Sequence, residues 1–378
     1  MRIVHIISGL DTGGAELFLE RLARSLNDGE SEHVIVSLTG LGTIGERMRH
    51  DGIRVYALKS GWYPRGITSL IGLRRILKET RPDLVQGWLY LGNIGTHIAR
   101  RFGGLSCPIV WNIRHCLDGW EGESALLRAQ IRLGGKLSGT ADRILFNSTA
   151  AARQHERFGY PRSKAVIIPN GFDCRIFSPN RGSRARIRQE LGITQDAVVV
   201  GHIGRYHPIK DHVNFLRAAR RLASEAPMIR FMLAGRGVNW QNPAVRTQIE
   251  ELQLGGHLSL LGERDDVPAL MNAMDIHVSS SWSESFPNAI GEAMACGIPC
   301  VVTDVGASAE LVAETGIVVP ARSPDLLAQS ISRLIQAGAV HRKGLGEAAR
   351  DRILQNYTNA GIARQYAELY RSVLHNRI

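Results

Sequence analysis

Residues 279–304 read SSSWSESFPNAIGEAMACGIPCVVTD and contain two glutamates, Glu284 and Glu292, on either side of a proline. In one continuous helix the two carboxylates would be about 12 Å apart along the axis. Pro287 argues against such a helix, because proline disfavours a helical residue before it and fits the first turn of a helix after it. We therefore predict that Glu284 lies in a loop after the strand IHVSSS, and that Glu292 lies in the second turn of a helix beginning near Asn288.

This arrangement could bind an elongated ligand. A loop carboxylate and a helical carboxylate can hold hydroxyl groups at its two ends, and the helix amino terminus between them favours phosphates. Gly291 would let such a ligand approach the helix closely. In the alternative interpretation Glu292 is an ordinary helix residue and Glu284 replaces a helix cap. The small apolar neighbours of Glu292 weaken that alternative, because a carboxylate on a buried face needs a partner.

Short β-branched runs alternate with helix-length stretches along the chain. The first set is RIVHII, HVIVSL, IRVYAL, DLVQGW, PIVWNIRH, RILFNS and AVIIPNG, and the second is AVVVGHIGR, IRFMLAG, LSLLG, IHVSSS, PCVVTD and GIVVP. This alternation predicts parallel sheets covered by helices on both faces. Between the sets, IPNGFDCRIFSPNRGSRARIRQELGIT is rich in Pro, Gly and Arg, which is typical of a link followed by a helix.

The expected architecture is therefore an α/β fold with two doubly wound, Rossmann-like domains. We predict an N-terminal domain over residues 1–175 and a C-terminal domain over residues 176–352. Residues 353–378 show one amphipathic helical pattern with no strand after it, and we predict that this helix packs back across the first domain.

Composition restricts the class of protein. A chain of 378 residues with 44% hydrophobic content can bury cores for two or three domains. The net charge of +11 favours acidic partners, which could be nucleic acid, phosphorylated ligands or an anionic membrane surface. The first apolar run is too short for a signal peptide, and five cysteines without metal or redox spacing suggest reduced thiols, so a cytoplasmic location is expected.

Polar residues just after strands are the first candidates for a site, because ligands bind outside the carboxyl ends of parallel strands. Gly13 and Gly14 follow the first strand at the start of a helix, where N–H groups favour a phosphate or a sugar oxygen. Arg205 and Lys210 follow the first strand of the second domain, and such a pair suits a diphosphate. His115 ends another strand and could act as a general base or bind a sugar hydroxyl.

Each candidate has a plainer alternative. The two glycines could form a tight turn capped by Asp11 or Thr12, and the two cations could be solvated surface charges. Arg114 competes with His115 for the role at its strand end.

Taken together, these residues resemble a retaining glycosyltransferase of family 4. That family has the GT-B fold, in which two doubly wound Rossmann-like domains face each other across a cleft. The matching motifs are Glu, seven residues, Glu (Glu284 to Glu292); GG.E (Gly13, Gly14, Glu16); IPNG.D (Ile168 to Asp173); and GR....K (Gly204, Arg205, Lys210). The resemblance covers essentially the whole chain.

The resemblance implies a role for each matching residue. Glu292 would bind the ribose hydroxyls of a nucleotide sugar, and Glu284 the hydroxyls of its sugar. Arg205 and Lys210 would neutralise the departing diphosphate, where transition-state charge develops. His115 would be the active-site histidine, although the residues before it, NIR, depart from the usual pattern.

The implied set divides into two groups. The catalytic residues would be His115, Glu284, Arg205 and Lys210. The donor-binding residues would be Gly13, Gly14, Arg205, Lys210, Glu284, Phe286, Pro287, Asn288, Ala289 and Glu292. The GT-B fold implies no metal or other cofactor, and no Asp-x-Asp motif is present; we expect Asp265 and Asp266 to cap the helix that follows them.

By the same resemblance, the first domain would bind the acceptor and the second the nucleotide sugar. Arg128, Arg132 and Lys136 recur every four residues, and neighbouring leucines could let this helix rest on the inner, anionic face of the cytoplasmic membrane and admit a lipid-diphosphate acceptor. A solvated basic face is the alternative.

The expected function is transfer of a hexose or N-acetylhexosamine from a nucleotide diphosphate sugar, with UDP as the first choice, to a lipid-linked glycan. The product would be a surface polysaccharide such as lipopolysaccharide, capsule or exopolysaccharide. The alternatives are a sugar-nucleotide epimerase or phosphorylase of the same fold, a basic nucleic-acid-binding protein, or an inactive scaffold. The 6% aromatic content and the lack of a basic stripe with interleaved aromatics argue against nucleic-acid binding.

Overall fold

The computed structural model describes residues 1–11, 13–27, 29–58, 66–225 and 228–375. The chain forms two compact units. The first consists of Met1–Gly171 together with Asn359–Ile378, and the second of Phe172–Thr358.

Every predicted strand is present. In the first unit the strands are β1 (Arg2–Ile7), β2 (Glu32–Ser37), β3 (Arg54–Ala57), β4 (Leu84–Trp88), β5 (Ile109–Ile113), β6 (Arg143–Phe146) and β7 (Ala165–Ile167). In the second they are β8 (Val198–Ile203), β9 (Ile229–Ala234), β10 (Leu258–Leu260), β11 (Ile276–Ser279), β12 (Cys300–Thr303) and β13 (Gly316–Val319).

The helices follow the strands in alternation. Those of the first unit are α1 (Gly14–Leu26), α2 (Gly42–His50), α3 (Gly66–Thr80), α4 (Leu89–Gly103), α5 (Ala125–Leu137), α6 (Thr149–Glu156) and, at the far end of the chain, α15 (Asn359–His375). Those of the second unit are α7 (Arg181–Glu190), α8 (His212–Glu225), α9 (Pro243–Glu251), α10 (Val267–Ala273), α11 (Asn288–Ala295), α12 (Ser308–Val312), α13 (Pro324–Gln336) and α14 (Gly338–Asn356). Among the described residues no helix is long and apolar enough to cross a bilayer.

Both sheets are parallel and share one strand order. The first runs β3-β2-β1-β4-β5-β6-β7 and the second β10-β9-β8-β11-β12-β13. In the first, Val4 of β1 is aligned with Val34 of β2 on one side and Val85 of β4 on the other. Successive strands are added towards one edge of the sheet up to β3 and β10, and towards the opposite edge from β4 and β11 onwards. The direction therefore reverses between the neighbours β1 and β4, and between β8 and β11. These are the topological switch points at which open α/β sheets bind ligands.

The strands are apolar because helices cover both sheet faces. In β1 the side chains of Ile3, Val4, Ile6 and Ile7 are all fully buried. A strand buried on both faces reads as a continuous apolar run rather than an alternating one, which is how RIVHII and its counterparts read. Polar side chains within strands, such as His5 of β1 and Gln86 of β4, are buried, so the polar groups that a ligand can reach come at the strand ends.

The boundaries between the units differ from those predicted. The first unit ends at Gly171 rather than 175, and the chain returns to it at Asn359 rather than 353. The reason is packing: α14 continues to Asn356 with Ile353 buried in the second core, and only α15 buries Tyr366 and Tyr370 in the first. None of the five cysteines, all within the described ranges, is part of a disulfide bond.

Arg188 of α7 ties the lead-in helix to the second sheet. Its side chain is fully buried, and its Nη2 lies 2.6 Å from Oδ2 of Asp275, at the start of β11. The remaining N–H groups of Arg188 donate to carbonyl oxygens of Ala273, Thr194, Gln195 and Ala197 at 2.9 to 3.2 Å. Asp275 in turn accepts from the backbone N–H of Val199, the second residue of β8, at 2.7 Å.

Replacing Arg188 by methionine should lower the free energy of unfolding of the second unit by about 3 kcal/mol, because Asp275 loses a buried partner and several carbonyl groups lose their donor. Urea denaturation followed by circular dichroism measures this. Arg186→Met is the matched control on the same helix, since Arg186 is an exposed cation whose ion pairs should contribute about 0.5 kcal/mol. Equal losses in the two variants would contradict the assignment.

Candidate active site

The second unit joins two of the predicted residues in an ion pair. Lys210 lies in the short helical turn after β8, and Glu284 in the loop after β11, so both follow strands at the switch point. The Lys210 Nζ is 2.5 Å from Glu284 Oε1, and the hydroxyl of Ser281 donates to the same oxygen at 2.7 Å. The Glu284 side chain is only 10% exposed. Its carboxylate is therefore held in a fixed orientation.

Backbone contacts hold these two loops together. The Ser280 hydroxyl donates to the carbonyl oxygens of Lys210 and Asp211 at 3.0 Å. The backbone N–H of Trp282 donates to the carbonyl oxygen of Ile209, and its indole N–H donates to the carbonyl oxygen of Pro208, both at 2.9 Å. The positions of Lys210 and Glu284 are thus set by main-chain geometry as well as by their charges.

A glycine after β12 completes this support. Gly306 has φ +54, in the left-handed region, and a Cβ there would lie 1.7 Å from the carbonyl oxygen of Glu284. Any larger residue would both strain the backbone and displace the Glu284 loop.

Three buried histidines lie behind Lys210. His202 and His277 come from β8 and β11, and His212 begins α8; the rings of His202 and His212 are 4.8 Å apart. Burial is the main cause that lowers their pKa values, well below normal for His202, to about 4 for His212 and to about 3 for His277, and the Lys210 charge acts in the same direction. These rings are neutral at physiological pH, so Lys210 is the cation at this point.

Arg205 is held differently. The residues on either side of it, Gly204 and Tyr206, donate to the carbonyls of Ala234 and Arg236 at 2.9 and 2.8 Å, which extends the pairing of β8 with β9. The side chain of Arg205 is exposed, and among the residues that the structure describes no carboxylate forms an ion pair with it. Arg205 therefore provides an accessible cation near the carboxyl edge, whereas Lys210 is already paired.

The helix that carries Glu292 begins as predicted. Helix α11 starts at Asn288 with Pro287 at the N-cap position and no side-chain cap, and Glu292 is half-buried in its second turn. Phe286 is buried and stacks against Phe172, so its side chain belongs to the core. The donor-binding role that the resemblance implies for Phe286 would therefore fall to its backbone. Ala289 is half-buried in the first turn.

Two expectations about this region are wrong. A Cβ on Gly291 would lie 2.0 Å from the ring of Phe172, so this glycine makes room for a core aromatic rather than for a ligand. Asp266 occupies the N-cap position of α10, but its side chain makes no capping bond. It pairs with Arg264 and Arg186, and the Arg264 guanidinium lowers the pKa of Asp266 to about 2.

In the first unit, Gly13 and Gly14 stand at the start of α1. Gly13 is the N-cap in an extended conformation with no side-chain cap, and Thr12 lies outside the described residues. Glu16 folds back over this end, since a Cβ on Gly13 would lie 2.3 Å from its Oε2. Burial raises the pKa of Glu16, and its own backbone N–H opposes that shift. Glu16, the glutamate of the GG.E motif, therefore covers the helix end that Gly13 and Gly14 expose.

His115 follows β5 and is in contact with two residues that sequence reasoning did not identify. Its Nε2 is 3.1 Å from Oε1 of Glu123, and its Nδ1 is 3.1 Å from the hydroxyl of Tyr90, at the start of α4. Burial lowers the pKa of His115, and the Glu123 carboxylate acts in the opposite direction. Tyr90 comes soon after β4, so its position after a strand could have identified it as a candidate. Glu123 lies in a loop ten residues after β5, and its position in the sequence does not indicate a site.

Arg114 has a structural role. Its guanidinium lies 3.7 Å from the ring centre of Phe18 and donates to Asn170 and to the hydroxyl of Tyr366. It joins β5, the loop after β7 and α15, which accounts for an arginine before His115. Within the described ranges, no group of three or more His, Cys, Asp or Glu side chains is arranged to hold a metal ion.

Two family models match the chain. Residues 12–176 match the model described as Glycosyltransferase Family 4, and residues 197–337 match the one described as Glycosyl transferases group 1. Each model covers one of the two units, and between them they include every predicted site residue of both.

Individual relatives agree with these models. EpsF of Bacillus subtilis (strain 168), a glycosyltransferase by name, is 24% identical over 100% of this chain and 98% of its own length. An Escherichia coli protein named UDP-Gal:alpha-D-GlcNAc-diphosphoundecaprenol alpha-1,3-galactosyltransferase is 28% identical over 64% of this chain and 62% of its own. The chain thus spans less than two thirds of that second relative.

A solved structure shares the whole fold. HepE of Anabaena, crystallised in complex with UDP-glucose, superposes with a TM-score of 0.84 over 98% of this chain and 100% of its own, at 24% identity. The fold is thus GT-B. Its motifs and its two matched models show that the chain belongs to the glycosyltransferases, with a family 4 domain followed by a group 1 domain.

Proposed function

We propose that this glycosyltransferase transfers a hexose or N-acetylhexosamine, with retention of configuration, from a UDP-sugar to a lipid-linked glycan in surface polysaccharide synthesis. The proposal includes a cytoplasmic location and the site residues named above, and it requires no metal for the chemistry.

The observation that carries this proposal is the Lys210–Glu284 pair at the switch point of the second sheet. The Lys210 ammonium group has three N–H donors, and its hydrogen bond to Glu284 uses one of them. A diphosphate could accept the others while Glu284, oriented by Ser281, binds sugar hydroxyls. The exposed Arg205 would supply a second cation, so that negative charge on the leaving group is stabilised by groups already in place.

The comparisons support the choice of UDP. HepE is described with UDP-glucose, and the Escherichia coli relative is named for UDP-Gal and for a diphosphoundecaprenol acceptor. We extend the UDP-sugar and the lipid-linked acceptor from those proteins to this chain as part of the proposal. Glu292, half-buried in the second turn of α11, is the residue we assign to the ribose hydroxyls.

The proposal is tested with a panel of UDP-glucose, UDP-galactose, UDP-N-acetylglucosamine, GDP-mannose and ADP-glucose. We expect a UDP-sugar to raise the unfolding temperature most, because a ligand that binds only the folded state stabilises it by mass action. Incubation with donor alone should not yield an isomerised nucleotide sugar; such a product would indicate an epimerase. Absence of any shift with UDP-sugars would contradict the proposal.

Changing Glu292 to alanine should weaken binding of the stabilising UDP-sugar by about ten- to a hundredfold, because hydrogen bonds to a charged group are lost. Titration calorimetry measures this for the UDP-sugar and for UDP, and both should lose affinity if Glu292 contacts ribose. Glu347→Gln, an exposed helical glutamate paired with Lys343, is the control. Unchanged affinity in Glu292→Ala would exclude the ribose role.

Changing Lys210 to methionine should lower kcat about a hundredfold with a smaller change in KM, because charge on the leaving diphosphate loses its nearest cation. Initial rates of UDP release measure both constants. Arg221→Met removes an exposed cation of the same unit, paired with Asp325, and serves as the control. A Lys210 variant that altered only KM would place Lys210 in ground-state binding instead.

We also propose that α5 rests on an anionic membrane. Leu126 and Leu133 are 59% and 45% exposed, and Arg132 and Lys136 are exposed beside them. Arg128 is half-buried, and the Arg132 guanidinium lies 5.3 Å from the ring centre of Trp120. Exposed leucines next to cations fit an anionic lipid surface, where a lipid-linked acceptor would be found.

Changing both Leu126 and Leu133 to serine should reduce binding to vesicles that contain anionic phosphatidylglycerol, because apolar area that enters the lipid is lost. Vesicle flotation measures the bound fraction, and vesicles of neutral phosphatidylcholine should bind the wild type weakly. Leu326→Ser is the control, since this leucine of the second unit is 43% exposed, close to the 45% of Leu133. Wild-type binding that is indifferent to both charge and leucines would refute the membrane contact.

A further inference from the structure

A chain of four hydrogen bonds links the first unit's buried interior to His115 and Glu123. The Nδ1 of His155 is 2.8 Å from the carbonyl oxygen of Ala151, and its Nε2 is 2.8 Å from the hydroxyl of Tyr90. The Tyr90 hydroxyl is 3.1 Å from Nδ1 of His115, and Nε2 of His115 is 3.1 Å from Glu123 Oε1.

The carbonyl at one end determines the direction of every bond. A carbonyl oxygen only accepts, so Nδ1 of His155 carries the proton and its Nε2, in the neutral ring, accepts. The Tyr90 hydroxyl must therefore donate to His155, which leaves its oxygen as an acceptor. His115 then donates from Nδ1 to Tyr90.

The last contact of the chain requires one more proton. With its proton on Nδ1, a neutral His115 would present a bare Nε2 to the Glu123 carboxylate, and two acceptors would face each other. A proton on Nε2 removes this conflict by making the contact an imidazolium–carboxylate ion pair, and the Glu123 carboxylate favours that proton while burial opposes it. The ion pair is neutral overall, which suits partial burial.

The inner part of the chain is rigid and keeps its protonation state. Tyr90 is 5% exposed and His155 is fully buried, with their rings stacked at an interplanar angle of 22° and Tyr160 edge-on to His155. Burial raises the pKa of Tyr90 well above normal and lowers that of His155 to about 4. Tyr90 therefore keeps its proton, and His155 stays neutral near pH 7.

The outer end of the chain is accessible. The side chains of His115 and Glu123 are 31% and 24% exposed, whereas the rings behind them are not. The other charged group close to His115 is Asp118, whose carboxylate accepts from Gln154. A ligand can thus reach the His115–Glu123 pair without displacing Tyr90.

We propose that Glu123 is a positioning residue for His115. Tyr90 and His155 fix the Nδ1–H form of His115, while Glu123 holds the ring through Nε2 and favours a proton on that nitrogen, which His115 can share with a sugar hydroxyl. This inference rests on the proposed function for its ligand class, but the placement of the protons follows from the geometry of the first unit alone.

Histidine ring nitrogens labelled with ¹⁵N, followed from about pH 8 to about pH 5, test the proton placement in the full chain. In the wild type, Nδ1 of His115 should bear a proton throughout, and Nε2 should gain its proton at a higher pH than in Glu123→Gln, because the carboxylate favours the charged ring. In Glu123→Gln the amide donates to Nε2, so only Nδ1 should bear a proton at the upper pH. In Tyr90→Phe the acceptor for Nδ1 is lost, so the proton should move to Nε2. A wild-type His115 with a bare Nδ1 would overturn the proposal. The resonance is assigned by its loss in His115→Gln.

Turnover of the UDP-sugar that gives the largest thermal shift in the panel tests the functional part. Glu123→Gln should lower kcat about tenfold, the loss of one charge-assisted hydrogen bond, and Glu123→Asp should restore part of it. Affinity for UDP alone should not change, which also confirms that the variant is folded. Glu46→Gln, an exposed glutamate of the same unit, is the control.

Wild-type turnover in Glu123→Gln would overturn the positioning role. If no UDP-sugar in the panel is bound or turned over by the wild type, the proposed function fails, whereas the nitrogen resonances still test the proton placement. The two failures are therefore distinguishable.

Discussion

A parallel sheet that is buried on both faces leaves only the ends of its strands to water, and the polar chemistry of this protein follows from that constraint. The strands are mainly apolar, as in β1, and the polar side chains within them, such as His5, are buried. Lys210, Glu284, His115 and Tyr90 all come shortly after strands. Lys210 and Glu284 meet at the switch point of the second sheet, between β8 and β11, whereas Tyr90 and His115 follow the neighbouring strands β4 and β5 of the first.

Much of this could be predicted from sequence, because it depends on local patterns. Each strand was identified from its apolar run, and Pro287 correctly separated the loop of Glu284 from the helix of Glu292. What could not be predicted depends on contacts between distant segments. Gly291 and Phe172 are over a hundred residues apart in sequence, so the space that the glycine provides could be interpreted as room for a ligand.

The same limit explains the errors about charges. Asp266 stands where a cap is expected, but two arginines, one of them on α7, attract its carboxylate away from the helix end. Glu123 lies in a loop without any strand pattern, and only the fold brings it to His115. Local sequence thus predicts where a charged residue stands, while its partner is determined by tertiary structure. Burial lowers the pKa values of His155, His202, His212 and His277, so these histidines are neutral near pH 7 and the charges near them are carried by lysines, arginines and carboxylates.

The return of the chain to its first unit affects the order of folding. Tyr366 and Tyr370 complete the core around β1 and β4, with Asn112 donating to the hydroxyl of Tyr366 at 3.0 Å. These residues are synthesised after the whole of the second unit. During synthesis the second unit, whose residues are contiguous, has all of its core available first, although it begins later. The N-terminal unit must wait for α15, and until then it exposes an apolar groove on its sheet.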